Sequence, residues 1–320
     1  MAAERVAIAD LAGSPGGQVA EMQRRRLLLA VGEVVGEHGV TGLTVGRVCA
    51  QAGVSRRTFY EQFSDGEACL LAALNAQLER LSVELRPRYE RNGKWRDRVR
   101  DGLTCLLERL DGDPSMARLC VIETLRGGPA VLERRARILG TLAVIVDEGR
   151  GEARAGSDPP PLTAQGVVGG ALSVIHARLL ANAQGPLVEL AGPLMAMIVH
   201  PYLGLAAARA ELERPTPTAA HVAPRQSADP FKGLPIRFTY RTARVLATIA
   251  ATPGASNRHI ADNSGISDEG QMSRLLGRLN KCELVENQGE GHTKGEPNAW
   301  TLTRRGQAIH DTITQRVQVP

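Results

Sequence analysis

The 320-residue sequence predicts a mainly α-helical protein with one small β-hairpin near its C-terminal end. Hydrophobic residues make up 43% of the chain and aromatic residues only 3%, so the core must consist largely of Ala, Leu and Val, which suits helices packed on helices. Apolar residues also recur at helical spacing over most of the chain. At this length two or three domains are expected.

Residues 44–71 have the pattern of a helix-turn-helix. Gly53 breaks a first short helix, and Ser55 is a suitable N-cap for a second helix whose inward face carries Phe59 and Phe63. The outward face of this second helix carries guanidinium, hydroxyl and amide groups, on Arg56, Arg57, Thr58, Tyr60 and Gln62. Phosphates require cations and base edges require hydrogen-bonding groups, so this helix has the composition of a probe of the major groove.

Three stretches resemble the TetR/AcrR family of bacterial repressors: residues 24–45, residues 52–63 (AGVSRRTFYEQF) and residues 67–71. The resemblance implies a small N-terminal DNA-binding domain, here 18–66, on a larger all-helical domain, here 67–212, that dimerises and usually holds a small-molecule effector. By position, the resemblance also implies a set of DNA-contacting residues: Thr44, Ser55, Arg56, Arg57, Thr58, Tyr60 and Gln62. The alternative is a packed three-helix subdomain without a DNA-binding role.

The charge and cysteine content agree with a cytoplasmic partner of nucleic acid. A net charge of +5 and a pI near 9.2 favour an anionic partner, which we expect to be double-stranded DNA. The five cysteines are scattered and form no CxxC pair, which indicates neither a zinc site nor a disulfide framework. We therefore predict a reduced, cytoplasmic setting, with no cofactor and no metal. Glu4 and Asp10 flank a very short apolar run at the N-terminus, which is not the pattern of a signal peptide.

The middle of the chain predicts helices separated by Pro and Gly. Their expected ranges are 66–86, 94–111, 114–126, 129–153, 162–184 and 187–212. The last range is long and apolar, but Glu189, Pro193, His200, Pro201 and Arg209 interrupt it. We interpret it as a buried helix pair or a kinked helix, and not as a membrane span.

The last two of these helices are candidates for a homodimer interface. Small residues at Gly169, Gly170 and Ala171 would allow close approach of a partner helix. An apolar stripe accompanies them, formed by Leu172, Ile175, Leu179 and Leu180. The alternative is that this stripe belongs to the intramolecular core.

An effector pocket is predicted within the same domain. Its candidate lining residues are Trp95, Cys105, Cys120, Glu123, His176, Met195 and Met197. Glu123 and His176 are the polar groups that such a pocket would use to orient a ligand. Each of these residues taken alone is more often an ordinary core or surface residue.

Residues 213–235 are rich in Pro and Ala and predict a semi-extended linker, after which residues 236–318 fold again. The pattern of this last region is helix, helix, helix, two strands and helix. The predicted strands are 283–286 and 299–302, and Ser256 and Ser267 are predicted helix caps. This order is that of a winged helix-turn-helix.

The C-terminal region is similar to MarR-like winged-helix domains in its HIADNSGIS turn, its SRLLGRLNKCELVEN passage and its KGEPNAWTLTRRG return. From Phe231 to Pro320 it has 12 Lys and Arg against 8 Asp and Glu, which concentrates positive charge here. The predicted DNA-binding residues are Gln271, Ser273, Arg274 and Arg278 on the third helix, and His292 and Lys294 at the wing tip. The alternative is a winged helix used for protein contact or dimerisation.

These patterns together predict a homodimeric, one-component transcriptional regulator with two kinds of DNA-binding module. We expect a repressor that occludes its operator until a ligand in the middle domain changes the spacing of the two N-terminal modules. One rival is an architectural protein that bridges DNA without an effector. The other is an enzyme, but the sequence shows no nucleophile–base pairing, phosphate loop or metal cluster.

Overall fold

The computed structural model describes residues 15–91, 93–153, 159–181, 185–215, 234, 238–266, 268–289 and 298–314. Its backbone divides into two compact units, each discontinuous in sequence. Unit 1 consists of the described residues within Met1–Leu27, Cys49–Gln62 and Gln226–Pro320, and unit 2 of those within Leu28–Val48 and Phe63–Arg225. The predicted domain ranges stay predictions, since the two units cut across the first of them.

Helices dominate both units. The N-terminal part of the chain forms α1 (Pro15–His38), a 3-10 turn (Val40–Gly42), α2 (Val45–Ala52) and α3 (Arg56–Gln62). Unit 2 continues with α4 (Gly66–Tyr89), α5 (Trp95–Gly112), α6 (Pro114–Ala117), α7 (Pro129–Asp147), α8 (Thr163–Leu180) and α9 (Ala191–Glu213). Proline begins both α6 and α7, at a position where its missing N–H group leaves no helical hydrogen bond unmade. Helix α4 packs against α5, and α7 packs against α8.

Two of the predicted helices in unit 2 differ from expectation. The sequence predicts a break at Pro87, but α4 continues through it to its end at Tyr89. Pro87 is exposed and lies in the last turn, so the one helical hydrogen bond that its missing N–H group leaves unmade is close to the end of the helix. The helix predicted at 114–126 is α6 followed by a π turn (Arg118–Ile122) and a 3-10 turn (Glu123–Arg126). The chain is therefore helical here but changes its winding twice.

The apolar stretch at 187–212 is a kinked helix, as predicted. A 3-10 turn (Leu187–Leu190) leads into α9, and Gly204 inside α9 has non-helical angles, φ 81° and ψ −178°. By length and composition alone, Leu187–Glu213 is also long and apolar enough to cross a membrane. It packs in the core of unit 2 and carries a fully buried carboxylate at Glu211, which is typical of a core helix in a folded domain.

The core of unit 2 contains two clusters of buried apolar side chains. The first includes Trp95, Met195 and Tyr202, and the second includes Leu107 and Ile175. Burial of one such large side chain contributes about 1.5–3 kcal/mol. The two clusters together fix α5, α8 and α9 in unit 2.

The C-terminal part of unit 1 follows the predicted order of elements. It contains α10 (Tyr240–Ala251), α11 (Asn257–Ser264), α12 (Glu269–Lys281), β1 (Val285–Asn287), β2 (Trp300–Leu302) and α13 (Arg304–Thr314). The two strands are antiparallel, with Val285 opposite Leu302. Of the predicted linker at 213–235, only residues 213–215 and 234 are described.

The caps of these helices were predicted in part. Ser256 caps α11 as expected, and Gly265, with φ 70°, ends that helix in the left-handed conformation that glycine favours. The cap of α12 is Asp268, whose carboxylate accepts the N–H group of Gln271 at 3.0 Å. Ser267, the predicted cap, lies outside the described residues.

The first turns of α1 complete the core of unit 1, which the sequence did not predict. Val19 and Met22 are buried in one cluster with Phe238, Leu246 and other residues of the C-terminal region. Gln23 also donates a hydrogen bond from Nε2 to the Phe238 carbonyl at 3.2 Å. The C-terminal elements therefore share their core with the N-terminal helix, so experiments on them call for the full chain.

Candidate nucleic-acid interface

The N-terminal helix-turn-helix is formed as predicted by α2, a turn and α3. Gly53 in the turn has φ 63°, a conformation that glycine adopts without strain. The N–H group of Val54 donates to the Cys49 carbonyl at 3.1 Å, which closes the end of α2. Phe59 is fully buried. The inward face of α3 is thus fixed by an aromatic anchor, and its opposite face is presented outward.

The outward face of α3 exposes cationic and phenolic groups. Arg56 and Arg57 are exposed, and Tyr60 is 58% exposed with its ring edge against Phe59. Arg57 Nε lies 2.9 Å from Glu61 Oε1, and both side chains are largely in solvent. An exposed ion pair of this kind is worth little, so the Arg57 guanidinium remains available to an anionic partner. Gln62 is half-buried.

Three of the predicted DNA-contacting hydroxyls already have hydrogen-bond partners within the protein. Ser55 Oγ accepts the N–H group of Thr58 at 3.0 Å and lies 2.9 Å from Thr58 Oγ1. Thr44 Oγ1 accepts the N–H group of Arg47 at 3.3 Å. Ser55 caps the N-terminus of α3, and Thr44 caps the N-terminus of α2. Their DNA contacts stay predictions.

Two charged residues beside this motif were not predicted as part of the site. Arg47 is exposed, and its Nη1 donates to the Gly42 carbonyl at 2.7 Å. Asp65 caps α4, and the N–H group of Ala68 holds the pKa of Asp65 below its ordinary value. Arg47 thus adds a cation, and Asp65 an anion, close in sequence to the helix-turn-helix. A search for caps and for exposed arginines on α2 would have found both.

The third helix of the C-terminal region, α12, has the predicted division of faces. Met272, Leu276 and Leu279 are buried. The four predicted DNA-binding residues on this helix are all exposed: Gln271, Ser273, Arg274 and Arg278. Arg274 Nε donates to the Gly270 carbonyl at 3.0 Å. His292 and Lys294, predicted at the wing tip, lie outside the described residues.

An acidic group stands at the start of α12. The N–H group of Gln271 holds the pKa of Asp268 below its ordinary value, so this carboxylate is charged at neutral pH. An anion at a helix N-terminus stabilises the helix. Arg274 and Arg278, further along the helix, are the exposed cations among the predicted DNA-binding residues of α12.

The candidate effector residues are not brought together as one pocket lining. Trp95 and Met195 are buried in the first core cluster of unit 2, whereas Cys120 packs against the second cluster. Burial raises the pKa of the Cys120 thiol to about 12, which makes this group unreactive as a nucleophile. His176 is half-buried on α8. Cys105 is buried, and Met197 packs against the second cluster.

Glu123 has a structural role in place of the predicted ligand-orienting one. Its side chain is fully buried, and Oε2 accepts the N–H group of Val40 at 3.0 Å. Oε1 lies 3.2 Å from Arg118 Nε and 3.7 Å from Arg126 Nη1. Both carboxylate oxygens are therefore occupied by partners within unit 2. Among the described residues, no group of three or more His, Cys, Asp or Glu is placed to bind a metal ion.

The predicted dimer stripe is largely intramolecular core. Ile175 is 3% exposed, and Ala171, Leu172 and Leu179 pack against the same cluster. Gly170 also faces inward, since a Cβ built on it would meet Met197 at 3.7 Å. Other groups of α8 form its outward surface: Gly169, Val174 (42% exposed) and Leu180 (56% exposed). Helical periodicity identified an apolar helix, but a helix apolar on several faces does not show which face is buried.

Comparison with known proteins places the clearest similarity on the helix-turn-helix. Residues 28–73 match the family model described as bacterial regulatory proteins, tetR family. A comparison with curated proteins gives no match.

Among solved structures, the chain is similar to three bacterial regulators. The fatty acid degradation regulator FadR from Bacillus halodurans is 18% identical, with 55% of this chain and 97% of that chain covered and a TM-score of 0.49. FadR from Bacillus subtilis, solved in complex with stearoyl-CoA, is 18% identical, with the same coverage and a TM-score of 0.48.

The third is a TetR family transcription regulator from Marinobacter aquaeolei VT8. It is 20% identical, with 58% of this chain and 97% of that chain covered and a TM-score of 0.45. Each likeness leaves more than two fifths of this chain uncovered. The match of residues 28–73 to the tetR-family model supports a DNA-binding regulator and not an enzyme.

Proposed function

We propose that this protein is a transcriptional regulator that acts in the cytoplasm and reads double-stranded DNA with α3 of its N-terminal helix-turn-helix. The observation that carries the proposal is the outward face of α3, where Arg56, Arg57 and Tyr60 are exposed above the buried Phe59. Rigid anchoring of one face and exposed donors on the other is what entry into the major groove requires. The family match over the same segment supports this role.

The proposed regulator is a homodimeric repressor that responds to a small molecule. The outward apolar groups of α8, Val174 and Leu180, support a second copy of the chain as partner. A dimer would place two α3 helices on two half-sites about one helical turn of DNA apart. The effector would bind in unit 2, with Trp95, His176 and Met195 as the remaining candidates for contact.

The first prediction concerns α3. Arg57→Ala should cost roughly 1–3 kcal/mol of affinity for the preferred DNA site and reduce its salt dependence, because a cation is lost from the interface. Tyr60→Phe removes one phenolic donor and should cost about 1 kcal/mol with little change in sequence preference. Fluorescence anisotropy of the full-length protein on duplex DNA at several salt concentrations measures both effects.

The matched control is Arg137→Ala on α7. Arg137 is also an exposed arginine, at 3.9 Å from a glutamate one turn away, Glu133. This change should leave DNA affinity unaltered. Equal affinity of the Arg57→Ala and Arg137→Ala proteins for the preferred site would show that α3 does not read DNA as proposed.

We further propose that the C-terminal elements of unit 1 are a winged helix-turn-helix and a second DNA reader, with α12 as its recognition helix. The backbone is compatible with this topology, because Ala255, between α10 and α11, forms an isolated antiparallel bridge to Trp300 in β2 and so ties the start of α11 to the two-stranded sheet. The exposed Gln271, Arg274 and Arg278 support the DNA contact. Use of this region for protein contact is the alternative.

A second prediction tests this module in the full chain. Arg274→Ala should cost roughly 1–3 kcal/mol at the sites that α12 reads and nothing at the sites that α3 alone reads. Arg241→Ala, at an exposed arginine of α10, is the control. Selection of bound duplexes from a random pool, followed by affinity measurement, identifies the two classes of site. If Arg274→Ala weakens no class of site, the region serves as a protein-contact domain.

A further inference from the structure

One asparagine in the C-terminal elements connects three of them. Asn257 lies in the first turn of α11 and is half-buried. Its Oδ1 accepts hydrogen bonds from Trp300 Nε1 at 2.6 Å and from Asn298 Nδ2 at 3.2 Å, and its Nδ2 lies 3.4 Å from Ser273 Oγ. The side chain therefore reaches β2, the segment before β2, and α12.

The orientation of this amide follows from its partners. The indole N–H group of Trp300 can only donate, so the oxygen of Asn257 must point toward it. The NH₂ group then points to Ser273, whose hydroxyl oxygen can accept. Trp300 is 7% exposed, which makes its hydrogen bond costly to lose because a buried donor would be left unsatisfied.

The connection continues into the other strand of the hairpin. Asn287 Nδ2 donates to Asn298 Oδ1 at 2.8 Å, and Asn287 Oδ1 accepts the N–H groups of Ala299 at 2.9 Å and Gly289 at 3.1 Å. A continuous series of side-chain hydrogen bonds thus runs from Asn287 in β1 through Asn298 and Asn257 to Ser273. It starts at the loop end of the paired strands, where Asn287 lies opposite Trp300, and ends on the exposed face of α12.

The hydrogen-bond series from Asn287 to Ser273 fixes the orientation of α12, which apolar packing alone does not do. The buried Met272, Leu276 and Leu279 hold α12 on the core, but apolar contacts are non-directional and tolerate small rotations and shifts of a helix. Hydrogen bonds are directional, and a satisfied polar network selects one arrangement. The position of the loop end of the paired strands relative to α12 is therefore set at the Asn257–Ser273 contact.

We infer that Asn257 is a positioning residue for DNA recognition by the C-terminal elements: it fixes α12 against the loop end of the paired strands, so that both meet double-stranded DNA in one register. The inference rests on the proposed DNA-reading function of α12. It also gives Ser273 a new role, because its hydroxyl holds Asn257 in the protein. Arg274, the next residue, is the group whose aim depends on this contact.

The test uses full-length protein and two duplexes: a site whose affinity falls on Arg274→Ala, and the same site with one mismatched base pair. Asn257→Ala removes the side chain that contacts Trp300, Asn298 and Ser273 without adding charge. Asn263→Ala is the matched control, because it removes an exposed amide of the same helix that donates to the His259 carbonyl within α11. Ser273→Ala breaks the contact from its other end and leaves the Trp300 hydrogen bond in place.

We expect Asn257→Ala to reduce discrimination between the two duplexes about two- to tenfold relative to Asn263→Ala, the range of one lost hydrogen bond. Ser273→Ala should have a similar effect, and the two changes together should be no worse than Asn257→Ala alone, since both remove the same contact to α12. Sites insensitive to Arg274→Ala should not respond. Thermal unfolding, followed in parallel, should be nearly unchanged for Ser273→Ala.

Equal discrimination by the Asn257→Ala and Asn263→Ala proteins, or additive effects of Asn257→Ala and Ser273→Ala, would overturn the positioning role and leave DNA reading by α12 intact. A different result would show that the proposed DNA-reading function of α12 is itself wrong. If Arg274→Ala weakens binding at no site, α12 does not read DNA, and the positioning role falls with it.

Discussion

Replacement of Glu211 by alanine is expected to lower the free energy of unfolding of unit 2 by roughly 3–5 kcal/mol, the usual cost of breaking a buried ion pair from one side. Glu211 is fully buried and pairs with Arg100, whose side chain is 9% exposed. Arg96 and Arg214 also approach it, at 3.4 and 3.3 Å. Loss of the carboxylate would leave the Arg100 guanidinium buried without a counter-charge, which is the main reason for the large effect.

Urea unfolding followed by tryptophan fluorescence measures this cost in unit 2. Because Trp95 lies in unit 2 and Trp300 in unit 1, a Trp300→Phe background reports unit 2 alone. Glu213→Ala, at an exposed glutamate two residues further along α9, should change stability by less than about 0.5 kcal/mol. The double change Arg100→Met with Glu211→Met should recover most of the loss. A loss below about 1 kcal/mol on Glu211→Ala would contradict a buried, paired carboxylate.

Replacement of Glu123 by alanine should have the second largest effect, roughly 1–3 kcal/mol of stability, together with weaker DNA binding. The stability cost is smaller than at Glu211 because Arg118 and Arg126 are 44% and 61% exposed and can return to water. What is lost is the acceptor for the Val40 N–H group. Val40 follows Gly39, which has φ 67°, and begins the 3-10 turn that precedes α2.

The effect on DNA binding follows from this turn. Val40–Gly42 ends next to the N-cap of α2, and the Gly42 carbonyl accepts a hydrogen bond from Arg47 within α2. A loosened turn would therefore loosen the start of the helix-turn-helix. Glu123→Gln, which keeps an acceptor for Val40, should lose less affinity for α3-dependent sites than Glu123→Ala. Equal DNA affinity of wild-type and Glu123→Ala proteins, measured by anisotropy below the unfolding transition, would exclude the coupling.

Local patterns predicted much of the fold because the interactions that form these elements are local. Gly53, Ser55 and Phe59 specify the turn, cap and inward face of α3 within seven residues of sequence, and the structure has all three in place. The same holds for Ser256 and Gly265 at the two ends of α11. Where two good caps are adjacent, as at residues 267 and 268, local preference could not select between them.

Long-range contacts could not be predicted in this way. Glu123 is predicted as one of the few polar groups that could orient a ligand in a pocket, but its hydrogen-bond partner Val40 lies 83 residues away in sequence and could not be predicted. The burial of Val19 and Met22 with Phe238 joins opposite ends of the chain. Neither contact leaves a periodic signal in the sequence, since periodicity reports which face is apolar and not what covers it.

The central claim, a sequence-specific DNA-binding regulator, is tested most directly by mapping the sites that the purified full-length protein selects from sheared genomic DNA of its source organism. Arg57→Ala and Arg274→Ala proteins are mapped in parallel. We predict a small number of sites, with inverted half-sites where α3 of two chains binds, most of which are lost on Arg57→Ala, and a second class that is lost on Arg274→Ala. Sequence-independent coverage, or site sets identical in all three proteins, would contradict the account.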